Sequence, residues 1–486
     1  MNDRKIHSVR YNFVMNFLLT ASQFLFPLIT FPYVSRVLQA SGNGKIAFVA
    51  SFVNYFVMVA SLGIPTYGVR ACAQVRDNKD ELSKTVHEIF TINLVMTVFV
   101  AITYVIAIFC APRFQDERLL FLINGINILL NPFGMNWLYQ ALEQYDYITF
   151  RSIVFKIISV ILMFIMVHKQ QDYIIYGAIT VFAAVGSNVL NFIRSRKYIT
   201  FCRYNHYNYR KHIKPILVLF AQSLAVSIYT NLDTVMLGFI RSDVDVGYYN
   251  AAVKLKTILL SLVTSLGNVL LPRMSYYAKE GFRDKFKQTM QKALNFTVLL
   301  SVPLVIYFCI YASEAIDFLA GNGYMGAVLA MQIITIAVIP IGITGVLGVQ
   351  VLTALEKEEC VLVSVIVGAI VDFILNMTLI PNGGAAGAAL ATTIAELMVL
   401  FVQCYYTRDY LKEMSKNFRI HIYLVISVVA GILSSGVKLL PFKSNFVILV
   451  ISAFFFFGVY GIGLLITRED VAIELIELLK KKIWRK

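Results

Sequence analysis

Charge is what this chain lacks most. Asp, Glu, Lys and Arg make up only 15% of its 486 residues, where a soluble protein carries about a quarter. With 58% hydrophobic residues and a mean hydropathy of +0.71, that shortage excludes an ordinary soluble domain. Acids are the scarcer sign, 28 against 43 Lys and Arg, for a net charge of +15. An excess of this kind can serve nucleic acid, but no basic soluble domain exists to bind it, and no nucleic-acid partner is expected. The six cysteines (Cys72, Cys110, Cys202, Cys309, Cys360, Cys404) show no metal-ligand spacing and read as reduced packing residues. His87, His168 and His206 fall in expected loops, also without ligand spacing, so no metal site is predicted. A GxxxxGK[ST] phosphate loop is absent, which excludes an ATP engine within the chain. Asp243-Val244-Asp245 matches the DxD pattern of glycosyltransferases, yet it lies in a short turn with no nucleotide fold around it. No loop is long enough for a soluble catalytic domain. The chain reads as a non-enzyme with no catalytic residue and no bound cofactor.

Long apolar runs are present in abundance. Each needs about 20 residues to cross roughly 30 Å of hydrocarbon. Runs of that length lie at about 11–37, 45–69, 86–111, 118–141, 148–167 and 173–193, then 215–240, 247–272, 290–312, 324–350, 360–380 and 384–406, with a last pair at 420–440 and 445–466. The expected fold is an all-α polytopic membrane protein of about fourteen transmembrane helices. With both termini inside, roughly 32 of the 43 Lys and Arg fall in cytoplasmic segments and about 8 outside, which sets the orientation. Inner basic loops of this kind also attract anionic membrane lipids.

One block stands out, the basic loop 194–214, with Arg194, Arg196, Lys197, Arg203, Arg210, Lys211 and Lys214 and no acid. Matching landmarks recur on either side of it. Ala141-Leu142-Glu143 returns as Ala354-Leu355-Glu356, Gly177-Ala178 as Gly387-Ala388, Ser61-Leu62-Gly63 as Ser265-Leu266-Gly267, and Arg70 as Arg273, at a spacing of about 200–213 residues. The loop therefore reads as a hinge between two pseudo-symmetric six-helix lobes around a central cleft. The predicted organisation is a first lobe at 1–205, a second at 206–412, and 413–486 holding spans 13 and 14. The tail after them places Val471, Leu475, Leu478 and Leu479 on one stripe beside Lys480–Lys482. It reads as an amphipathic helix on the inner leaflet or as a frayed end.

Several spans carry polar faces that lipid will not accept. The first places Asn12, Asn16, Thr20, Gln23, Pro27 and Thr30 at steps of three and four. The seventh holds Gln222, Ser223, Ser227, Thr230, Asn231, Asp233 and Thr234, and the fourth Asn124, Asn127, Asn131, Asn136 and Gln140, with a kink expected at Pro132. Such faces line a wet cleft or hydrogen-bond to neighbouring helices. Candidate cleft-lining residues are Asn16, Gln23, Asn127, Gln222 and Asn231.

Charges inside spans narrow the choice. Asp372 and Glu396 stand at equal distances from the Pro381–Gly384 turn, hence near one depth. Close carboxylates raise each other's proton affinity, so the pair could carry H⁺ or hold Na⁺. The other reading is a single protonated acid bonded to Asn376 or Thr392. Asp233 and Lys254 are equidistant from the turn at Asp243, which suits a structural ion pair, with direct substrate contact by Lys254 as the other reading. Lys156 has no acid at its depth in its own hairpin. It faces an anionic ligand, or pairs with Asp372 or Glu396. Arg70 and Arg273 close spans two and eight at the inner mouth, either as substrate contacts or as ordinary inside-positive residues.

The segments PLITFPYVSRVLQASGNGKIAF (27–48), LGIPTYGVRACAQVRD (62–77), NLDTVMLGF (231–239) and YYNAAVKL…LLPRMS (248–275) resemble Wzx-type polysaccharide flippases for O-antigen or capsule repeat units. These belong to the polysaccharide transporter family of the MOP (MATE-like) superfamily. One departure is Gln39-Ala40, where that family commonly has glycine. The resemblance implies a bacterial cytoplasmic-membrane protein that flips an undecaprenyl-pyrophosphate-linked oligosaccharide to the outer leaflet by alternating access. Coupling to a proton or sodium gradient is implied, with other polysaccharide-assembly membrane proteins as partners. Lys156, Arg70, Arg273 and Lys254 would then meet the pyrophosphate. A MATE-like exporter of small cations, or a membrane polymerase or ligase, are the competing readings.

Overall fold

The structure is a computed structural model that describes residues 8–202, 204, 206–264, 267–414, 420–442, 444–467 and 469. The predicted tail helix at 471–479 lies outside the described residues, as do Ser265 and Leu266 of one repeat motif. Every regular element among the described residues is a helix. In a solvent without hydrogen-bonding partners, a helix satisfies its own backbone, and that is the physical reason.

The chain starts with α1 (Val9–Ser61), nominally 53 residues long but broken at Gln39, where φ is 56°. It therefore crosses twice, as 9–38 and 40–61. Positive φ costs a side-chain-bearing residue about 1–2 kcal/mol, so the glycine usual in the resembled family would be less strained here. Gln39 Nε2 donates to Arg36 O at 2.6 Å and Asn43 Nδ2 donates to Gln39 O at 3.2 Å, which hold the turn. Next come α2 (Ile64–Gln74) and α3 (Lys79–Cys110), the latter capped by Asn78, whose side chain accepts from the Asp80 and Glu81 amides. The expected kink at Pro132 is present. α4 (Arg118–Leu130) and the segment through α5 (Asn136–Ala141) meet at 44°. Then follow α6 (Tyr145–Met166), α7 (Tyr173–Val185), α8 (Asn188–Ser195) and α9 (Arg210–Ile240).

The remainder comprises α10 (Asp243–Thr264), α11 (Gly267–Lys279), α12 (Arg283–Ile310), α13 (Ala312–Ala320), α14 (Val328–Ile336) and α15 (Val338–Thr344). A π-helical stretch, Gly345–Leu352, leads on to α16 (Glu358–Tyr406), α17 (Arg408–Met414), α18 (Ile420–Ser435) and α19 (Asn445–Ile466). Like α1, α16 is two crossings, broken at Gly384 (φ 51°). That is the turn expected between Pro381 and Gly384. Among the described residues nine helices are long and apolar enough to span, and the bent α4–α5 pair makes ten. Counting α1 and α16 twice, and adding α9 and α10–α11 by length, is consistent with the predicted fourteen. Phe99, Phe454 and Ile466 are among many large apolar side chains left exposed, as a lipid-facing surface requires.

Two compact units divide at Gly247/Tyr248. In the first, α2, α3 and α5 enclose Tyr67, Leu82, Ile89, Trp137, Leu138 and Tyr139. A Cβ at Gly68 would collide with the Trp137 ring, so glycine is needed for that close approach. In the second, Met274, Phe286, Met290 and Leu347 form one core, and Val302, Tyr307, Tyr423 and Phe456 another. His87, expected in a loop, lies inside α3 against Tyr204 and Tyr207. Cys110 and Cys202, expected to pack, are exposed.

Candidate functional site

Lys156 sits midway along α6, so a chain rise of 1.5 Å per residue places it far from either helix end. It is half-buried. Its Nζ donates to Ser22 Oγ at 2.8 Å, while Ser22 Oγ itself donates to Leu19 O at 2.6 Å. The ammonium also lies 5.8 Å from the centre of the Phe26 ring. An ammonium has three donors, and among the described residues no carboxylate lies within ion-pair distance of this one. Lys156 lines a cavity of about 310 Å³ between α1, α6 and α7, together with Gln23, Thr30, Ser159, Tyr176 and Thr180.

The hydroxyls around it are already committed. Thr30 donates to Phe26 O, Ser159 to Phe155 O and Thr180 to Gly177 O, at 3.0, 2.8 and 2.7 Å. Those three hydroxyls keep only acceptor capacity, which leaves the Lys156 ammonium and the Gln23 amide, beside the Tyr176 hydroxyl, as the donor-bearing groups suited to an anionic or hydroxyl-rich ligand. The rest of the lining is apolar, including Phe26, Met163 and Ile179. Such a cavity can bind and orient. The sequence reading found Gln23 and Lys156 but not Ser22, Tyr176 or Thr180. Tyr176 and Thr180, four apart on an otherwise apolar helix, were the available signal.

The remaining predicted residues of the first unit are dispersed. Asn16 is exposed on α1, where its carbonyl accepts from Thr20 Oγ1 at 2.9 Å. Asn127 is half-buried on α4, with a buried side-chain oxygen. Arg70 is exposed, its guanidinium 5.7 Å from the Tyr67 ring centre. Asn231 is half-buried and Asp233 buried on α9. The Gln222 side chain lies outside the described residues.

Two polar networks hold the Arg76 end of this unit. Glu143 accepts from Arg76 at 2.7 Å and from Asn12 Nδ2 at 3.4 Å, so Asn12 is a bracing residue rather than a cavity-lining one. The bond to Glu143 and its charge push the Arg76 guanidinium still higher than its ordinary pKa. The second network was missed. His212 on α9 is fully buried, with Nε2 2.7 Å from Glu88 Oε2 on α3 and Nδ1 2.7 Å from the Tyr67 hydroxyl on α2. Glu88 Oε1 accepts the Asn208 amide at 2.6 Å. Both ring nitrogens and both carboxylate oxygens are thus satisfied, as burial demands.

In the second unit, Asp372 and Glu396 stand twelve residues before and after the Gly384 break and are 1% and 8% exposed. Tyr249 on α10 meets Thr392, one turn from Glu396, at 3.0 Å between hydroxyl oxygens. Ser364 and Gln403, also buried, are joined at 3.0 Å. Lys254 is half-buried on α10. Arg273 is exposed, and its Nε donates to the Tyr277 hydroxyl at 2.8 Å. At the end of the first unit, Asp243 and Asp245 fall in the first turn of α10, and Asp243 bonds Arg113 at 2.6 Å. That placement suits a helix N-terminus and accounts for the DxD match without nucleotide chemistry.

Comparison with known proteins fits this architecture. The family model described as polysaccharide biosynthesis protein matches residues 9–278, more than half of the chain, and the MatE model matches 219–378. An Escherichia coli (strain K12) protein named "Putative O-antigen transporter" is 26% identical over 413 residues, covering 83% of this chain and 98% of its own. A Shigella dysenteriae protein of the same name is 24% identical, covering 81% and 99%. Among solved structures, the lipid II flippase MurJ in an inward closed conformation superposes with a TM-score of 0.73 at 16% identity, over 94% of this chain and 99% of that one. An inward-facing multidrug resistance MATE family transporter gives 0.60 at 12%, over 81% and 96%; at such identities the likeness is one of fold. Similar proteins are named as transporters and flippases rather than catalysts, in keeping with a non-enzyme. On the family match, the chain belongs to the polysaccharide biosynthesis protein family, within the MOP superfamily of membrane transporters.

Proposed function

We propose that this protein flips an undecaprenyl-pyrophosphate-linked oligosaccharide from the inner to the outer leaflet of a bacterial cytoplasmic membrane. Both termini are cytoplasmic in this reading, as the Lys and Arg distribution indicates. The observation that carries it is Lys156, an ammonium near mid-helix, bonded to a serine instead of an acid and lining a cavity beside the Gln23 amide. A charge at the centre of a span costs about 2.5–3.5 kcal/mol, and a pyrophosphate would offset that cost. The names of relatives, O-antigen transporter and lipid II flippase, support a polyprenyl-linked saccharide. Transport would proceed by alternating access without covalent chemistry.

Coupling to H⁺ or Na⁺ through Asp372 and Glu396 forms part of the reading, since both are buried and stand equally far from the Gly384 break. Asp372 also supports the second reading, export of small cations, because the MatE match spans it. Proteoliposomes carrying a fluorescent lipid-linked oligosaccharide, with and without an ion gradient, separate the two. Leaflet transfer by the wild-type chain supports flipping, and cation efflux without transfer supports export. Loss of gradient dependence in Asp372→Asn or Glu396→Gln would assign coupling, whereas unchanged dependence in both would leave the acids a structural role.

A further inference from the structure

Four residues of the first unit meet in a reciprocal pattern. A Cβ on Gly44 would fall on the Asp243 carbonyl, and a Cβ on Gly247 would fall on the Ala40 carbonyl. Asp243 follows Ala40 by 203 positions, and Gly247 follows Gly44 by the same 203. Residue 40 thus touches the equivalent of 44, and 44 touches the equivalent of 40. This is the signature of a two-fold contact, here between two stretches of one chain. Ala40-x-x-x-Gly44 and Asp243-x-x-x-Gly247 each open a helical segment, and the glycine one turn in from each start lets two helix backbones touch.

The surroundings seal the contact. Arg113 Nη2 donates to Asp243 at 2.6 Å and its Nε to Gly238 O at 2.9 Å. Lys45 pairs with buried Glu117 at 2.5 Å. One turn below, Phe48, Phe52, Phe114, Phe121 and Phe239 pack ring to ring, and Gly238 admits the Phe48 ring against its backbone.

We infer that Gly44 and Gly247 form a pseudo-two-fold clamp that closes the outer face and parts in every transport cycle. The assignment of this end as outer, and the cycle itself, rest on the proposed function. Backbone-to-backbone contact suits a reversible closure. It excludes water without long side chains to reorganise, and the charged pairs beside it can exchange protein partners for water when it opens. An alanine at either position would hold the helices apart.

The test uses the full chain with its six native cysteines replaced and Val246→Cys added as a reporter, since Val246 is buried in the first turn of α10. Gly44→Ala and Gly247→Ala are each introduced. Two readouts are taken in proteoliposomes: lipid-linked oligosaccharide transfer, and labelling of the reporter by a membrane-impermeant maleimide from outside. The clamp requires transfer to fall at least tenfold and labelling to accelerate at least tenfold in both variants. Lost transfer with unchanged labelling would make the glycines packing residues and overturn the clamp, as would normal transfer with faster labelling. If the parent chain moves no oligosaccharide, the transport reading fails, and the labelling ratio alone then decides whether the glycines close this end.

Discussion

Glu143 and Glu356 hold the same backbone conformation, φ 57° in each, at the equivalent ends of the Ala-Leu-Glu motif. The motif recurs because each copy ends a helix by a left-handed residue. The two acids differ in what they touch. Glu143 accepts from Arg76 and Asn12, whereas Glu356 is an exposed turn residue. Glycine at either position would remove about 1–2 kcal/mol of backbone strain. Glu356→Gly should therefore raise the melting temperature in detergent, and Glu143→Gly should gain less or fall below the parent. Equal gains in both would show that the Arg76 and Asn12 contacts contribute nothing.

For Lys156, alanine should abolish oligosaccharide transfer at normal protein levels, and arginine should retain part of it. Arginine keeps the charge but presents a wider planar fork to Ser22. Wild-type transfer by Lys156→Ala would remove the lysine from the substrate path.

His212→Ala leaves the buried Glu88 Oε2 and the Tyr67 hydroxyl without their hydrogen-bond partner, a loss that costs about 1–3 kcal/mol per buried unsatisfied group. A large drop in thermal stability is expected. Glu88→Gln, which can still accept the Asn208 amide, should cost less. An alanine variant as stable as the parent would mean that water or another group replaces the ring without loss.

Glu314 of α13 supplies a pH dependence. Burial raises its pKa, but bonds from the Ser313 hydroxyl and the Lys438 ammonium, 2.9 Å away, outweigh that and hold the carboxyl below its ordinary value. A depressed folded pKa stabilises above the unfolded value of about 4.3, and the benefit is lost as pH falls through the folded value. Melting temperature should therefore drop as pH falls below about 4.3. Glu314→Gln should flatten that part of the curve, and a drop of equal size in the variant would place its origin elsewhere.

Class, long apolar spans and breaks were legible in the sequence because lipid as solvent imposes local rules. A span must be apolar for about 20 residues, and its ends gather turns and basic residues. Hence Gln39, Pro132 and the Pro381–Gly384 turn marked real breaks or bends. Lys156 and Gln23 were visible as polar exceptions to the same rule. What only the tertiary structure decided is which distant residues meet. His212 reaches Tyr67 across 145 positions and Glu88 across 124, and Lys156 reaches Ser22 across 134. These pairings depend on helix rotation and crossing, which no periodicity in one helix encodes. Gly44 and Gly247 were the least legible, because their role comes from an absent side chain, and that absence acquires meaning only when another backbone lies against it.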